Sequence, residues 1–355
     1  MSTTVLILGA GGAAGINFCR ALRRADQFRL IVADVHPLRL RLPDADGYEL
    51  VPKVAERDPE LLETLIQRHG VNVVYAQADS EVRGLLQHPR PIPARTLLPK
   101  PSAWDIASNK LELSHHLFGH RVPVPVSRLA VGPEAKEDFA ELRELGRGKV
   151  WVRAKTGAGS KAALPVTTFD QMQHWIDYWC DSRGLHRSDF MQCQYLPGDE
   201  FAWQGVYQNG TLIGSVVRQR LEYVFAEQMP SGQSSTPSVA RIVHRPDVND
   251  LAEAAVATLG TPHGVFGVDC KADAAGVVRV TEINAGRFYT TSDFYASAGA
   301  NLPAAWTLAA AGESVTLGRD RIPAGVTWVR SLDREALLMP AGGTGGELVY
   351  GTVAL

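Results

Sequence analysis

Little in the 355-residue sequence marks a specialised chain, and each shortage excludes something. There are four cysteines, at 19, 180, 193 and 270, and no two have the spacing of a zinc knuckle or a redox pair. Reduced thiols in a cytoplasmic protein are the expectation. An excess of one charge is missing: 36 Lys and Arg stand against 38 Asp and Glu, a net of −2. That balance speaks against nucleic acid or an acidic membrane surface as the main partner. No uncharged apolar run reaches bilayer-spanning length. The start, MSTTVLILGAGGAAG, has no basic segment before its apolar run and does not read as a secretory signal. What remains is 45% apolar and 21% charged, ordinary globular material for two or three domains at roughly 150 residues each.

The first hundred residues alternate strand and helix patterns. Val5–Leu8, Leu30–Ala33 and Val71–Ala76 are short buried apolar runs, and Ile16–Arg24 and Glu60–Arg68 have helical spacing. Such alternation predicts parallel βαβ units in a doubly wound sheet. Five prolines between Gln87 and Pro101 predict a connection between domains. Beyond it the patterns mix: helices over 109–117, 134–145, 170–180 and 248–259, strands over 150–153 and 190–195, and an Asn209-Gly210 hairpin signal. The end reads as strands over 325–332 and 348–355 around a Gly-rich loop.

Two glycine loops differ in content. Gly9 to Gly15 follows a strand and opens a helix, with Asp34 at the end of the next strand. This meets the loose dinucleotide pattern, although a structural turn is the simpler reading. The second, Arg153-Ala-Lys155-Thr-Gly157-Ala-Gly159-Ser160-Lys161, puts cations at a strand end before a mobile turn whose amides can face phosphate. Arg153 and Lys155, two apart, are expected on one face.

The richest constellation is Val265–Asp273 returning as Val277–Asn284. An even-numbered turn centred between Ala275 and Gly276 pairs Asp273 with Val278 and Asp269 with Glu282. Asn284, two past Glu282, shares its face. Like charges directly opposite destabilise a sheet unless a cation offsets them. Two carboxylates and an amide oxygen suit magnesium bridging nucleotide phosphates, and Arg287 adds a positive group nearby. The alternative is an exposed hairpin with carboxylates paired to Arg279 or Lys271.

In this order these segments resemble the ATP-grasp superfamily, most closely its carbamoyl-phosphate-synthetase-large-subunit-like branch. The resemblance implies a mixed α/β and α+β architecture: a Rossmann-like pre-ATP-grasp domain over 1–101, an N-terminal ATP-grasp subdomain with the phosphate loop over 102–193, a C-terminal subdomain with the metal site over 194–315, and a β-rich tail over 316–355. It implies that Lys110, Arg153, Lys155, Gly157, Gly159 and Ser160 contact nucleotide phosphates. It places Gln194, Tyr195 and Leu196 at the adenine and Glu200 on the ribose. Asp269, Glu282 and Asn284 match the magnesium ligands, with manganese as a substitute, and Arg287 matches the arginine facing the transferred phosphoryl group. Ala154, Gln194 and Ala285-Gly286 depart from the usual pattern.

The activity implied is ATP-dependent joining of a small carboxylate to an amine through an acylphosphate, with Arg218 and Arg220 as carboxylate-binding candidates and no enzyme nucleophile. A homodimer is compatible with it. Thr290, Thr291, Ser292 and Asn301 are candidates for an amine site or for caps and turns. His116 and His120 read as a solvated helix face, and Trp175 and Trp179 as packing. Two other classes stay open: a nucleotide-binding regulatory protein of degenerate ATP-grasp type, and an NAD(P)-dependent oxidoreductase built on the first glycine loop.

Overall fold

The computed structural model describes residues 2–157, 162–234, 236–331, 337–339 and 341. Gly159, Ser160 and the strand expected over 348–355 lie outside the described residues.

The alternating start folds as expected. β1 (Thr3–Leu8), β2 (Phe28–Asp34), β3 (Gly47–Leu50) and β4 (Val73–Ala76) form a parallel sheet in the order β3-β2-β1-β4. α1 (Ala13–Arg23), α2 (Pro59–His69) and α3 (Asp79–Leu86) connect or follow its strands. Gly15 brings α1 against the preceding turn: a Cβ there would lie 2.5 Å from the Ala10 carbonyl oxygen. The Asp34 carboxylate accepts the Gly11 amide at 2.7 Å and so closes the loop internally. The proline-rich stretch is more than a connection. Arg95 forms a parallel bridge with Val73, extending this sheet past β4.

α4 (Pro101–Ser108) and α5 (Lys110–Gly119) lead into a second sheet of β5 (Ser127–Leu129), β6 (Val150–Ala154), β7 (Leu164–Val166) and β8 (Phe190–Gln194), ordered β5-β8-β6-β7. α6 (Ala135–Leu145) and α7 (Phe169–Arg183) cover one face through Phe139, Leu142, Met172 and Ile176. Thr168 caps α7, and Gly184 ends it in the left-handed conformation at φ 68°.

The third sheet has eight strands: β9 (Glu200–Gln208), β10 (Thr211–Tyr223), β11 (Pro237–Ile242), β12 (Gly264–Ala272), β13 (Val278–Ala285), β14 (Gly318–Arg319), β15 (Thr327–Val329) and β16 (Leu337–Met339). Its path is β13-β12-β9-β10-β11-β15-β16, with β14 beside β10. α8 (Pro246–Ala257), α9 (Ser292–Ser297) and α10 (Leu302–Ala311) complete it. Phe18 and Tyr75 of the first sheet's layer stack at 3.8 Å, and Tyr75 meets the edge of Trp306 at 5.0 Å. Together with Phe288 they form one aromatic core joining the first and third sheets. Burying each such ring contributes about 1.5–3 kcal/mol. No helix among the described residues is long and apolar enough to cross a membrane.

The register of β12 and β13 corrects one expectation. Ala272, not Asp273, pairs with Val278, because Asp273 to Val277 makes an odd-numbered turn closed by Asp273. A bulge at Thr281 then restores the parity, and Asp269 stands opposite Glu282. The bulge also switches which residues face the core: Val278 and Val280 before it, Ile283 and Ala285 after it.

Candidate active site

One cavity lies between the second and third sheets. Lys110, Arg153, Gly157, Gln194, Tyr195, Leu196, Glu200, Arg220, Asp269, Glu282, Asn284 and Arg287 all line it. Lys155 and Arg218, also expected there, do not. β6 ends at Ala154, so strand alternation no longer governs Lys155, whose backbone bonds to Asp189 and Lys110. Arg218 shares a face with Arg220 but is 1% exposed, its guanidinium over the rings of Tyr289 and Tyr295.

The two facing carboxylates are held by different cations. Arg153 donates to Glu282 at 2.7 Å, and the Lys110 ammonium lies 3.8 Å from its other oxygen. Burial alone would raise the Glu282 pKa; Lys110, Arg153 and Arg287 overcome it and hold the carboxyl at about 2. Lys110 also donates to the carbonyl of Gly157 at 2.6 Å, where φ of 92° requires glycine. Burial lowers its own pKa.

Asp269 accepts from Arg220 at 2.6 Å and from the Tyr289 hydroxyl at 2.8 Å. Burial, with Glu282 opposite, raises its pKa against the pull of Arg220. The neighbouring carboxylates are therefore pushed in opposite directions, the pattern of a site built for charge. Asn284 Oδ1 accepts from Arg287 at 2.6 Å, and Arg287 also bonds Asp79 of α3.

Glu200 begins β9 directly beside Arg220 on β10 and Lys271 on β12. It accepts from Arg220 at 2.8 Å, Gln233 at 3.1 Å and the Tyr223 hydroxyl, with Lys271 at 3.5 Å. Burial raises its pKa, but Arg220 and Lys271 bring the net shift down. Tyr289, Tyr223 and Asp79 were not singled out from sequence. Lys271, two residues from Asp269, carried the period-two signal and was read there only as a neutralising partner.

The first sheet braces the segment after Arg287. Gln77 donates to the Phe288 carbonyl at 2.9 Å, Asn17 to that of Thr290 at 2.5 Å, and Arg24 to Asp293 at 2.7 Å. Thr290 lines the cavity, Thr291 is buried against Arg218, and Asn301 caps α10 while bonding Ala21.

Other candidates resolve as structure. His116 bonds the Thr258 carbonyl and His120 that of His116. Trp175 bonds Ala162 and packs against Trp179. All four cysteines are free; burial pushes Cys19 up to about 12 and Cys193 up to about 11, leaving neither a ready nucleophile. Among the described residues no group of three His, Cys, Asp or Glu side chains is placed to hold a metal by itself.

No family model and no curated protein matches the sequence. Solved structures do match in shape. The biotin carboxylase domain of 2-oxoglutarate carboxylase from Hydrogenobacter thermophilus, a dimer solved with MgADP, ADP and bicarbonate, superposes with a TM-score of 0.68 at 14% identity, over 93% of this chain and 74% of that one. Carboxyaminoimidazole ribonucleotide synthase from Aspergillus clavatus, complexed with ATP, gives 0.67 at 17% identity over 92% and 81%. L-amino acid ligase from Bacillus licheniformis gives 0.63 at 12% identity over 92% and 79%. The chain has the fold these proteins share, the ATP-grasp fold.

Proposed function

We propose that this chain is an ATP-dependent ligase that joins a small carboxylate to an amine, with MgATP in the cavity between the second and third sheets. The observation that carries the reading is the opposed pair Asp269 and Glu282, with Asn284 beside it and Lys110, Arg153, Arg220 and Arg287 around it. The nucleotide or metal complexes of the two similarly folded proteins support it.

The donor set fits a hard cation that keeps phosphate and water oxygens in its shell: two carboxylates and an amide oxygen, too few for an all-protein cage. Asp269, Glu282 and Asn284 would hold magnesium, with manganese as its substitute; the ion would neutralise charge on the phosphates. Lys110 and Arg153 take phosphate oxygens, Gln194 to Leu196 face the adenine, and Glu200 takes the ribose. Gly157, followed by Gly159 and Ser160, supplies the phosphate loop, and Lys155 stands beside it.

In the reaction an oxygen of the substrate carboxylate attacks the γ-phosphorus and ADP leaves. The amine nitrogen then attacks the acyl carbon, phosphate leaves, and the nitrogen gives up a proton. Arg287 and Arg220 stabilise the developing charge, so positioning and fixed cations do the work without an enzyme nucleophile.

A phosphate-release assay with MgATP against pools of amino acids and small carboxylates tests this. Release that requires a carboxylate and an amine together supports the ligase. Nucleotide binding without turnover on any pool supports a regulatory protein, and oxidation of a reduced nicotinamide supports an oxidoreductase.

A further inference from the structure

The cations around the cavity are matched by acids: Lys110 and Arg153 with Glu282, Arg220 with Glu200 and Asp269, Arg287 with Asp79. Arg218 and Arg330 are different. Among the described residues neither has a carboxylate partner. Arg218, 1% exposed, reaches only the hydroxyls of Thr291 and Tyr295 and the ring faces of Tyr289 and Tyr295. Its Nε has no partner. Arg330 donates to the Pro237 carbonyl at 3.0 Å and lies over Trp328, leaving Nη2 buried without a partner. Burial and the like charge of Arg218 push Arg330 down to about 10.

Two desolvated guanidiniums with no acid among the described residues are costly, and the natural remedy is an anion. Their planar forks favour a carboxylate. Hydroxyls are at hand: those of Thr291 and Tyr295 accept from Arg218 and are bonded to each other, and the buried Ser292 hydroxyl has no partner. The place is distinct from the phosphate end. The Tyr289 ring lies 4.8 Å under Arg218, and its hydroxyl reaches Asp269. Tyr289 and Thr290 also line the nucleotide cavity, so the two places adjoin.

We propose that Arg218 and Arg330, with Thr291 and Ser292, recognise a substrate carboxylate that is not itself phosphorylated, so that one co-substrate is an amino acid or a dicarboxylic acid. This rests on the ligase reading for the word substrate, but the anion site stands on its own geometry.

The test is calorimetric binding of the common amino acids and of short dicarboxylates. Each is paired with the analogue in which one carboxylate is a primary amide, with and without magnesium and a non-hydrolysable ATP analogue. An acid that binds at least about a hundredfold more tightly than its amide is expected. An amino acid with that preference identifies one source and a dicarboxylate the other. Arg330→Gln should erase the preference while leaving the ATP analogue's affinity unchanged, and Arg330→Lys should retain part of it. Acid and amide binding equally in every pair overturns the proposal, as does preference surviving in Arg330→Gln, binding by inorganic phosphate alone, or no binding by any acid. A protein that selects the acid but never holds the nucleotide upholds this site and sinks the ligase reading.

Discussion

Arg153 of the second sheet donates to Glu282 of the third at 2.7 Å, across 129 residues of sequence. The bond spans the cavity and ties the element before the glycine loop to the metal-binding candidate. Glu282 stays ionised because of it and of Lys110.

Replacing Glu282 with Gln keeps the shape and removes the charge. Phosphate release from MgATP should fall about a hundredfold or more, while circular dichroism shows a folded protein. Undiminished release would sink the metal assignment.

Magnesium should bind this protein weakly alone and tightly with nucleotide, since Asp269, Glu282 and Asn284 supply only part of a shell. Manganese binding followed by electron paramagnetic resonance, with and without an ATP analogue, checks this. Equal affinity in the two conditions would refute it. Chelation should stop turnover and leave the melting midpoint where it was.

Asp273 closes the turn of the metal hairpin, accepting the amides of Ala275 and Val277 and the Arg279 guanidinium. Asp273→Ala should cost about 1–3 kcal/mol. Burial would raise the carboxyl's pKa, but Arg279 and those amides lower it below its usual 3.8. Its contribution is therefore full above 3.8 and fades as pH falls through the lowered value. Denaturant unfolding of both proteins at neutral pH and in acid should show the gap closing in acid.

The Tyr75 hydroxyl accepts the Phe288 amide at 2.9 Å and donates to Gln77, which in turn holds the Phe288 carbonyl. Tyr75→Phe leaves buried groups unpaired at about 1–3 kcal/mol each. Because Arg287 is the preceding residue, kcat should fall more than KM for ATP rises. A stability loss with kcat intact would make the brace purely structural.

Much of this was legible in sequence. The apolar runs gave the parallel sheet, and the spacing of Asp269, Glu282 and Asn284 brought three oxygen donors to one cavity. What the sequence left open was decided by distant segments. Arg218 and Arg220 have the same local parity and both lie over Tyr289, yet only Arg220 reaches the cavity; Arg218 is enclosed by Thr291 and Tyr295. Lys155 is two beyond Arg153, but the strand has already ended. Asp34 matches a ribose-binding position, and only the fold shows its carboxylate committed to the Gly11 amide. The Arg330 guanidinium, more than a hundred residues after Arg218, carried no sequence signal linking the two.

The bulge at Thr281 changes how distance along this chain should be read. A hairpin one residue shorter, with the same odd turn and a regular ladder, would set the same two carboxylates opposite each other. The number of residues between Asp269 and Glu282 is thus a poor ruler for the site. The better ruler is the unbroken ladder from β12 to β9, which fixes Asp269 against Ala202 whatever the hairpin tip does. Insertions and deletions at Ala274–Gly276 belong to the periphery of this chemistry, and a single residue gained or lost between Glu282 and Asn284 strikes its centre.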